Sequence, residues 1–206
     1  MENLTDNDVR QPSVMTTAQF LDLIHGTNAS IYFNVNGITW KNKPQPFSKA
    51  ESKLQWLNDQ GSDIYFIVNA GGSKVVDITK ITSAFMDWDA GKDSNNKYFS
   101  EDIVQQKKQQ CMSRICQFSL KPSFIVETRN GYQVYWLLSS CTKEEFSAIQ
   151  CRLIAFFGSD NKVKNLNRVM RLPNFFWQKK KSGCKPFFVR IIEFNDLRYH
   201  AFDLLN

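Results

Sequence analysis

The sequence predicts a mixed α+β fold, a partly antiparallel sheet flanked by helices, on three observations. First, runs rich in β-branched and aromatic residues alternate along the chain with amphipathic stretches of helical period. Second, "SFIVET" and "YQVYWLL" are separated by "RNG", and Asn-Gly between two such runs is a strong hairpin signal. Third, "TKEEFSAIQCRLIAFFG" pairs Thr142 with Glu145 as a capping box and ends in Gly158, which bounds a helix over 142–158. Interleaved elements with a tight hairpin argue against a purely parallel sheet.

The elements follow in chain order. Residues 1–15 are polar and read as a flexible lead-in, leaving 16–206 as one domain of two lobes with no clear internal boundary. "TTAQFLDLIHG" predicts a short helix with Thr16 as cap and Gln19 three residues on. "ASIYFNV" (29–35) predicts a strand, and "PFSKAESKLQWLNDQG" a helix from near Ser48 to Gly61. "DIYFIVN" (63–69) is a second strand, "GGSK" (71–74) a turn, and "ITSAFMDWD" (81–89) a third strand. The segment 100–119 predicts a helix capped by Ser100, with Glu101 and Asp102 suited to its first turn. Residues 159–186 show little regular pattern. "FFVRIIEF" (187–194) predicts a last strand and "DLRYHAFDLL" a short helix.

Composition limits the function classes. The net charge of +6 and pI of about 9.0 permit a polyanionic partner. No run of 18 apolar residues would span a membrane, and the N-terminus is unlike a secretory signal. Five Cys at irregular spacings suggest reduced thiols in a cytosolic protein. Zinc is not expected: Cys111 and Cys116 are five apart, not at knuckle spacing, and splay on a helix.

Asp87 and Asp89 are the first chemical signal. One residue apart in a strand, they share a face, and like charges so close repel unless a cation joins them. Taken alone the pair fits a turn as well as a metal site. Asp160, past a helix C-terminus where a carboxylate is disfavoured, is the candidate third acid; by itself it reads as a solvated loop residue. Just after it, Arg168 and Arg171 sit three apart, as on one helical turn, and guanidinium forks suit phosphate. Lys179, Lys180 and Lys181 alone would be an ordinary solvated face. Trp177 among basic residues could stack on a base of a single strand, though core packing is its commoner fate. The hairpin adds Thr128, Arg129, Gly131, Tyr132 and Gln133, polar or backbone-exposing positions that an ordinary hairpin would also carry.

In order, "DWD" at a strand end, "P-S-x-I-V-x-T-x-x-G-Y-x-x-Y-W" (122–136), a helix leading into "G-S-D", and "RVMRLP" (168–173) resemble the archaeo-eukaryotic primase superfamily. The likeness is strongest to the RepB-like and primase-polymerase branch of plasmids, phages and other mobile elements, and spans roughly residues 60–195. The resemblance implies a two-lobed primase fold with an RRM-like sheet. It implies a nucleotidyltransferase that uses Mg²⁺ or Mn²⁺, two ions, and nucleoside triphosphates on single-stranded DNA. Asp87 and Asp89 match the first motif's metal-binding acids, and Asp160 the third motif's acid. Thr128 lies near the hydroxyl position of the second motif; Gln133 stands where many relatives carry His, and unlike His it cannot be positively charged. Arg168 and Arg171 match the Arg-rich stretch that holds the triphosphate or template backbone. The basic tract at 179–181 would follow template backbone. A helicase would be a separate chain or lie outside this sequence, since no phosphate-binding G-x-x-x-x-G-K-[ST] loop occurs. A non-catalytic initiator module that binds origin DNA is the main alternative; a metal-dependent nuclease lacks an obvious base.

Overall fold

The computed structural model describes residues 13–93, 95, 97–159, 161–178 and 184–206. Helix α1 (Thr17–His25) begins at the expected box: the Thr16 hydroxyl accepts from Gln19 N–H, and the Gln19 side chain accepts from Thr16 N–H. Residues 13–15, grouped with the lead-in on sequence, are tied down. The Val14 amide donates to the Ile191 carbonyl at 3.0 Å, and the Ser13 hydroxyl donates to Asn174.

A small sheet follows. Strands β1 (Phe33–Val35), β2 (Ile38–Thr39), β3 (Ile64–Ile67) and β7 (Val169–Arg171) lie in the order β2-β1-β3-β7, all antiparallel. The predicted strand at 29–35 is shorter than expected, with Ile31 making only an isolated bridge to Gln45. Helix α2 (Phe47–Asp59) starts after Pro46 and stops before Gly61, whose φ of +91° favours glycine.

The larger sheet holds β10 (Arg190–Phe194), β5 (Phe124–Thr128), β6 (Gly131–Ser140) and β11 (Arg198–His200), with β4 (Ser83–Asp89) also paired to β6. The β5–β6 hairpin forms where the Asn-Gly signal predicts one, but it turns one residue earlier, at Arg129-Asn130, with Gly131 paired to Thr128 as the first residue of β6. Helix α3 (Glu101–Gln117) starts after Ser100, which occupies the cap position without its hydroxyl bonding the helix. Helix α4 (Lys143–Phe157) covers the outer edge of β4. There the Gln150 side chain both accepts from Phe85 N–H (3.3 Å) and donates to the Phe85 carbonyl (2.9 Å), completing a main chain that would otherwise be buried unpaired. Two short strands, β8 (Phe176–Trp177) and β9 (Phe187–Phe188), pair apart from both sheets, and helix α5 (Ala201–Leu205) closes the chain.

Phe20 of α1 joins the sheets. Its ring meets Phe66 of the small sheet at 5.6 Å, and Phe124 and Tyr135 of the large one at 5.0 and 5.6 Å, all edge-on. One continuous apolar core results.

His25, at the end of α1, is packed against Phe66. Burial, with a smaller push from the Lys80 charge, lowers its pKa to about 4 from an ordinary 6.5. The unfolded chain therefore takes up a proton first. Stability from the neutral ring is present above about pH 6.5 and lost as pH falls to about 4, worth about 3 kcal/mol. Urea melts of wild type and His25→Gln across that window should diverge by this amount; parallel curves would rule the burial effect out.

Candidate active site

Strand β4 carries the acid pair to the edge of a cleft. Its antiparallel register with β6 sets Asp87 opposite Gln133 and Asp89 opposite Gly131, and β5 continues both rows with Val126 and Thr128. Directly paired residues share a face, so Asp87, Asp89, Gln133 and Thr128 lie on one side of the sheet. At Gly131 a Cβ would stand 1.9 Å from the Trp88 carbonyl oxygen, so only glycine lets β4 come this close to the hairpin.

The Arg168 guanidinium donates to Asp87 Oδ2 at 2.7 Å, and both side chains keep about a fifth of their surface exposed (18% and 19%). The Gln133 amide reaches Asp87 Oδ1 at 3.5 Å and accepts from the Tyr135 hydroxyl at 3.4 Å. Burial raises the Asp87 pKa above the ordinary carboxylate value. Arg168 pulls it down, while the neighbouring Asp89 adds to the rise. Asp89 is exposed, and its Oδ1 accepts from Gly91 N–H at 2.9 Å. The turn reading therefore holds for it: one oxygen closes an Asx turn beside the cleft that Asp89 also lines.

That cleft, about 430 Å³, is lined by Asp87, Asp89, Gly158, Ser159 and Arg168 among others. Gly158 ends α4 in the left-handed conformation (φ +64°), which sends the chain to the cleft. Ser159 is buried, and its hydroxyl has no hydrogen-bond partner among the described residues. Asp160, the third acid named on sequence, lies outside the described residues, as do Lys179, Lys180 and Lys181. Among the described residues no His, Cys, Asp or Glu makes a third with the pair.

The two arginines do not share a helical turn. Segment 168–171 enters β7, which pairs with β3 as Tyr65↔Arg171 and Ile67↔Val169, and in a strand positions three apart face opposite ways. Arg168 consequently reaches Asp87, while Arg171 is bound to Asp63 at 2.9 Å beside the Tyr65 ring. Asp63 also accepts from the Gln178 backbone N–H at 2.8 Å. Burial pushes the Tyr65 hydroxyl up to about 12.

Two further expectations are corrected. Trp177 is only 2% exposed. Its ring packs against Tyr98 and lies under the Arg129 and Arg171 guanidinium groups at 5.3 and 6.0 Å, so it has no face to offer a base. Tyr132 faces away from the acids, paired with Glu127 and Trp88 on the other side of the sheet, with Lys108 Nζ 5.4 Å from its ring. Arg129 bonds Asn130 at 2.7 Å over the Tyr98 and Trp177 rings, and Thr128 gives its carbonyl to Lys108 at 3.0 Å. Missed altogether were Asp63, Lys108 and Glu127. Their partners lie 108, 19 and 63 residues away, and no local pattern marks such pairs.

Residues 94–202 match the family of RepB DNA-primase N-terminal domains. The chain belongs to that family. The match begins after β4, so it covers the hairpin and the arginines but not the acid pair. Solved structures share the fold of this RepB-type primase domain. The domain is similar to the AEP domain of the cyanophage S-2L primase-polymerase, with a TM-score of 0.66 and 22% identity over 91% of this chain and 93% of that one. It is similar also to the catalytic domain of primase RepB′ in complex with initiator DNA (TM-score 0.60, 16% identity, 92% and 89% coverage). A second RepB′ primase structure matches with TM-score 0.61 and 17% identity, this chain spanning 61% of its length. The two-lobed primase fold implied by the sequence motifs is thus the fold present. A comparison with curated protein sequences finds no match. Among the described residues no helix is long and apolar enough to cross a membrane.

Proposed function

We propose that this domain joins nucleoside triphosphates on single-stranded DNA, as a primase or primase-polymerase, with Asp87 and Asp89 as the ligands of its divalent ions. The observation that carries the reading is the meeting of two carboxylates from β4 with a guanidinium from the start of β7 across one open cleft. The donor set fits a hard cation: oxygen ligands on one strand face, one of them a carboxylate whose charge is costly where it stands. Asp160 is the proposed third carboxylate, since Gly158 and Ser159 just before it line the same cleft. When bound, Mg²⁺ or Mn²⁺ ions would neutralise phosphate charge and lower the pKa of the attacking 3′-hydroxyl.

The residues divide the work. Asp87 and Asp89 hold positive charge where the α-phosphate is attacked. Arg168 offers a forked donor to the triphosphate. Gln133, held by Tyr135, orients Asp87. Arg171 fixes β7 to the Asp63 end of β3 and thereby places Arg168. Lys179–Lys181 are proposed to follow the template backbone, and a replicative helicase, on a separate chain or outside this sequence, is the partner such a domain would serve. Neighbours from a phage and a primase bound to initiator DNA support a role in replicating a mobile element.

The test is incorporation of labelled nucleotides on a primed or unprimed single strand. Synthesis should require Mg²⁺ or Mn²⁺ and stop on chelation. Metal-independent DNA binding with a steep salt slope and no incorporation would instead favour the non-catalytic initiator.

A further inference from the structure

We propose that Arg168 serves two partners in turn: it neutralises Asp87 until a divalent cation takes that carboxylate, and then passes to a phosphate oxygen of the incoming triphosphate. This exchange rests on Asp87 and Asp89 being cation ligands. Arg168 Nη2 lies 2.7 Å from Asp87 Oδ2, on the side chain that would face the cation. A guanidinium at contact distance and a dication on the same carboxylate repel each other, so binding one weakens the other.

Exposure decides which ion pair can exchange. The Lys108–Glu127 pair is 1% and 11% exposed, and the Arg171–Asp63 pair 11% and 9%. Breaking either strands a charge away from water, which is strongly unfavourable. Arg190 is 23% exposed, but its partner Glu127 is 11% exposed and shared with the buried Lys108, whereas Arg168 and Asp87 are both open, at 18% and 19%, and Arg168 lines the cleft beside Gly158 and Ser159. Arg171 is also pinned between Tyr65 and Trp177, so it is poorly placed to move. The two arginines of "RVMR" therefore have different tasks, one fixed and one exchanging.

Coupling follows from mass action. A cation on Asp87 releases Arg168 for phosphate, and a triphosphate that engages Arg168 uncovers Asp87 for the cation. Each ligand strengthens the other through this residue, and the effect is reciprocal.

The test measures Mn²⁺ binding alone, by titration calorimetry and by the electron paramagnetic resonance signal of free Mn²⁺. It then measures binding of a non-hydrolysable triphosphate at saturating Mn²⁺. Arg168→Gln should bind Mn²⁺ alone about tenfold more tightly, and the triphosphate about tenfold more weakly. Opposite signs from one substitution are the signature, because a structural role would weaken both. Arg168→Met, which keeps the apolar stem, is the second variant should Gln misfold. Arg114→Gln controls for the general field: its guanidinium donates to the Phe157 carbonyl next to Gly158 and not to Asp87. Mn²⁺ affinity that is unchanged or weaker in both Arg168 variants, or equally raised in Arg114→Gln, overturns the exchange alone. Mn²⁺ that binds Asp87→Asn as well as wild type overturns the cation site and the exchange with it.

Discussion

Asp87→Asn is expected to reduce templated nucleotide incorporation by about 10³-fold or more while leaving the fold intact. The size follows from the role. A metal-ligand carboxylate supports several kcal/mol of charge stabilisation in the transition state, and each 1.36 kcal/mol is tenfold in rate. The stability side follows from the environment. Burial raises the Asp87 pKa, so the ionised form is disfavoured in the folded protein, with the Asp89 charge adding to the cost and Arg168 offsetting part of it. Asn keeps the shape and removes the charge that burial penalises. The melting temperature should therefore hold or rise. A carboxylate placed for folding gives the reverse pattern. Retained synthesis, or a melting temperature more than about 4 °C lower, a loss of about 1–2 kcal/mol for a chain of this size, would sink the assignment. Asp89, exposed and tied to Gly91 through one oxygen, should lose activity in the same direction with little change in stability.

What the sequence made legible was local. The capping boxes at Thr16 and Thr142, the hairpin at residues 128–131 and the spacing of Asp87 and Asp89 at the end of β4 all report interactions within a few residues. What it hid was tertiary. "NRVMRLP" has no strand periodicity of its own; β7 exists because β3, about a hundred residues earlier, supplies its hydrogen-bond partners. The helical spacing of Arg168 and Arg171 was for that reason misleading, and the strand geometry that replaced it sends one arginine to the acids and the other to Asp63. Trp177 shows the same limit from the other side. Aromatic residues among lysines fit a binding surface as well as a core, and the Tyr98 and Arg129 side chains that help Arg171 to cover Trp177 come from two other parts of the chain. The acid pair was legible as a pair because a strand fixes neighbours two apart; its cleft was not, because Arg168 and Ser159 reach it through the fold.

Glu127→Gln is expected to be the most destabilising conservative substitution in the molecule, costing about 3–5 kcal/mol, or roughly 10 °C in melting temperature. Glu127 lies beneath the hairpin, on the sheet face opposite the acids, where one oxygen accepts from Lys108 and the other from Arg190 at 2.6–2.7 Å. Burial alone would push its pKa up, but the two cations together hold it below the ordinary value. The amide variant loses the charge and keeps one acceptor oxygen of two, its NH₂ group facing a donor, and it leaves Lys108, at 1% exposure, as an uncompensated buried cation. Lys108→Met is a smaller change. It leaves the Glu127–Arg190 pair whole and costs the Thr128 carbonyl its partner, about 1–3 kcal/mol. The double variant separates charge from packing. If the penalty of Glu127→Gln is the stranded ammonium, adding Lys108→Met should recover part of it, and the two losses should be clearly less than additive. Additive losses in urea melts would mean that the triad acts through shape alone. Because Lys108 also anchors the Thr128 end of β5, Lys108→Met should loosen the hairpin that faces Asp87 and Asp89, so its incorporation rate should fall even at temperatures where it remains fully folded.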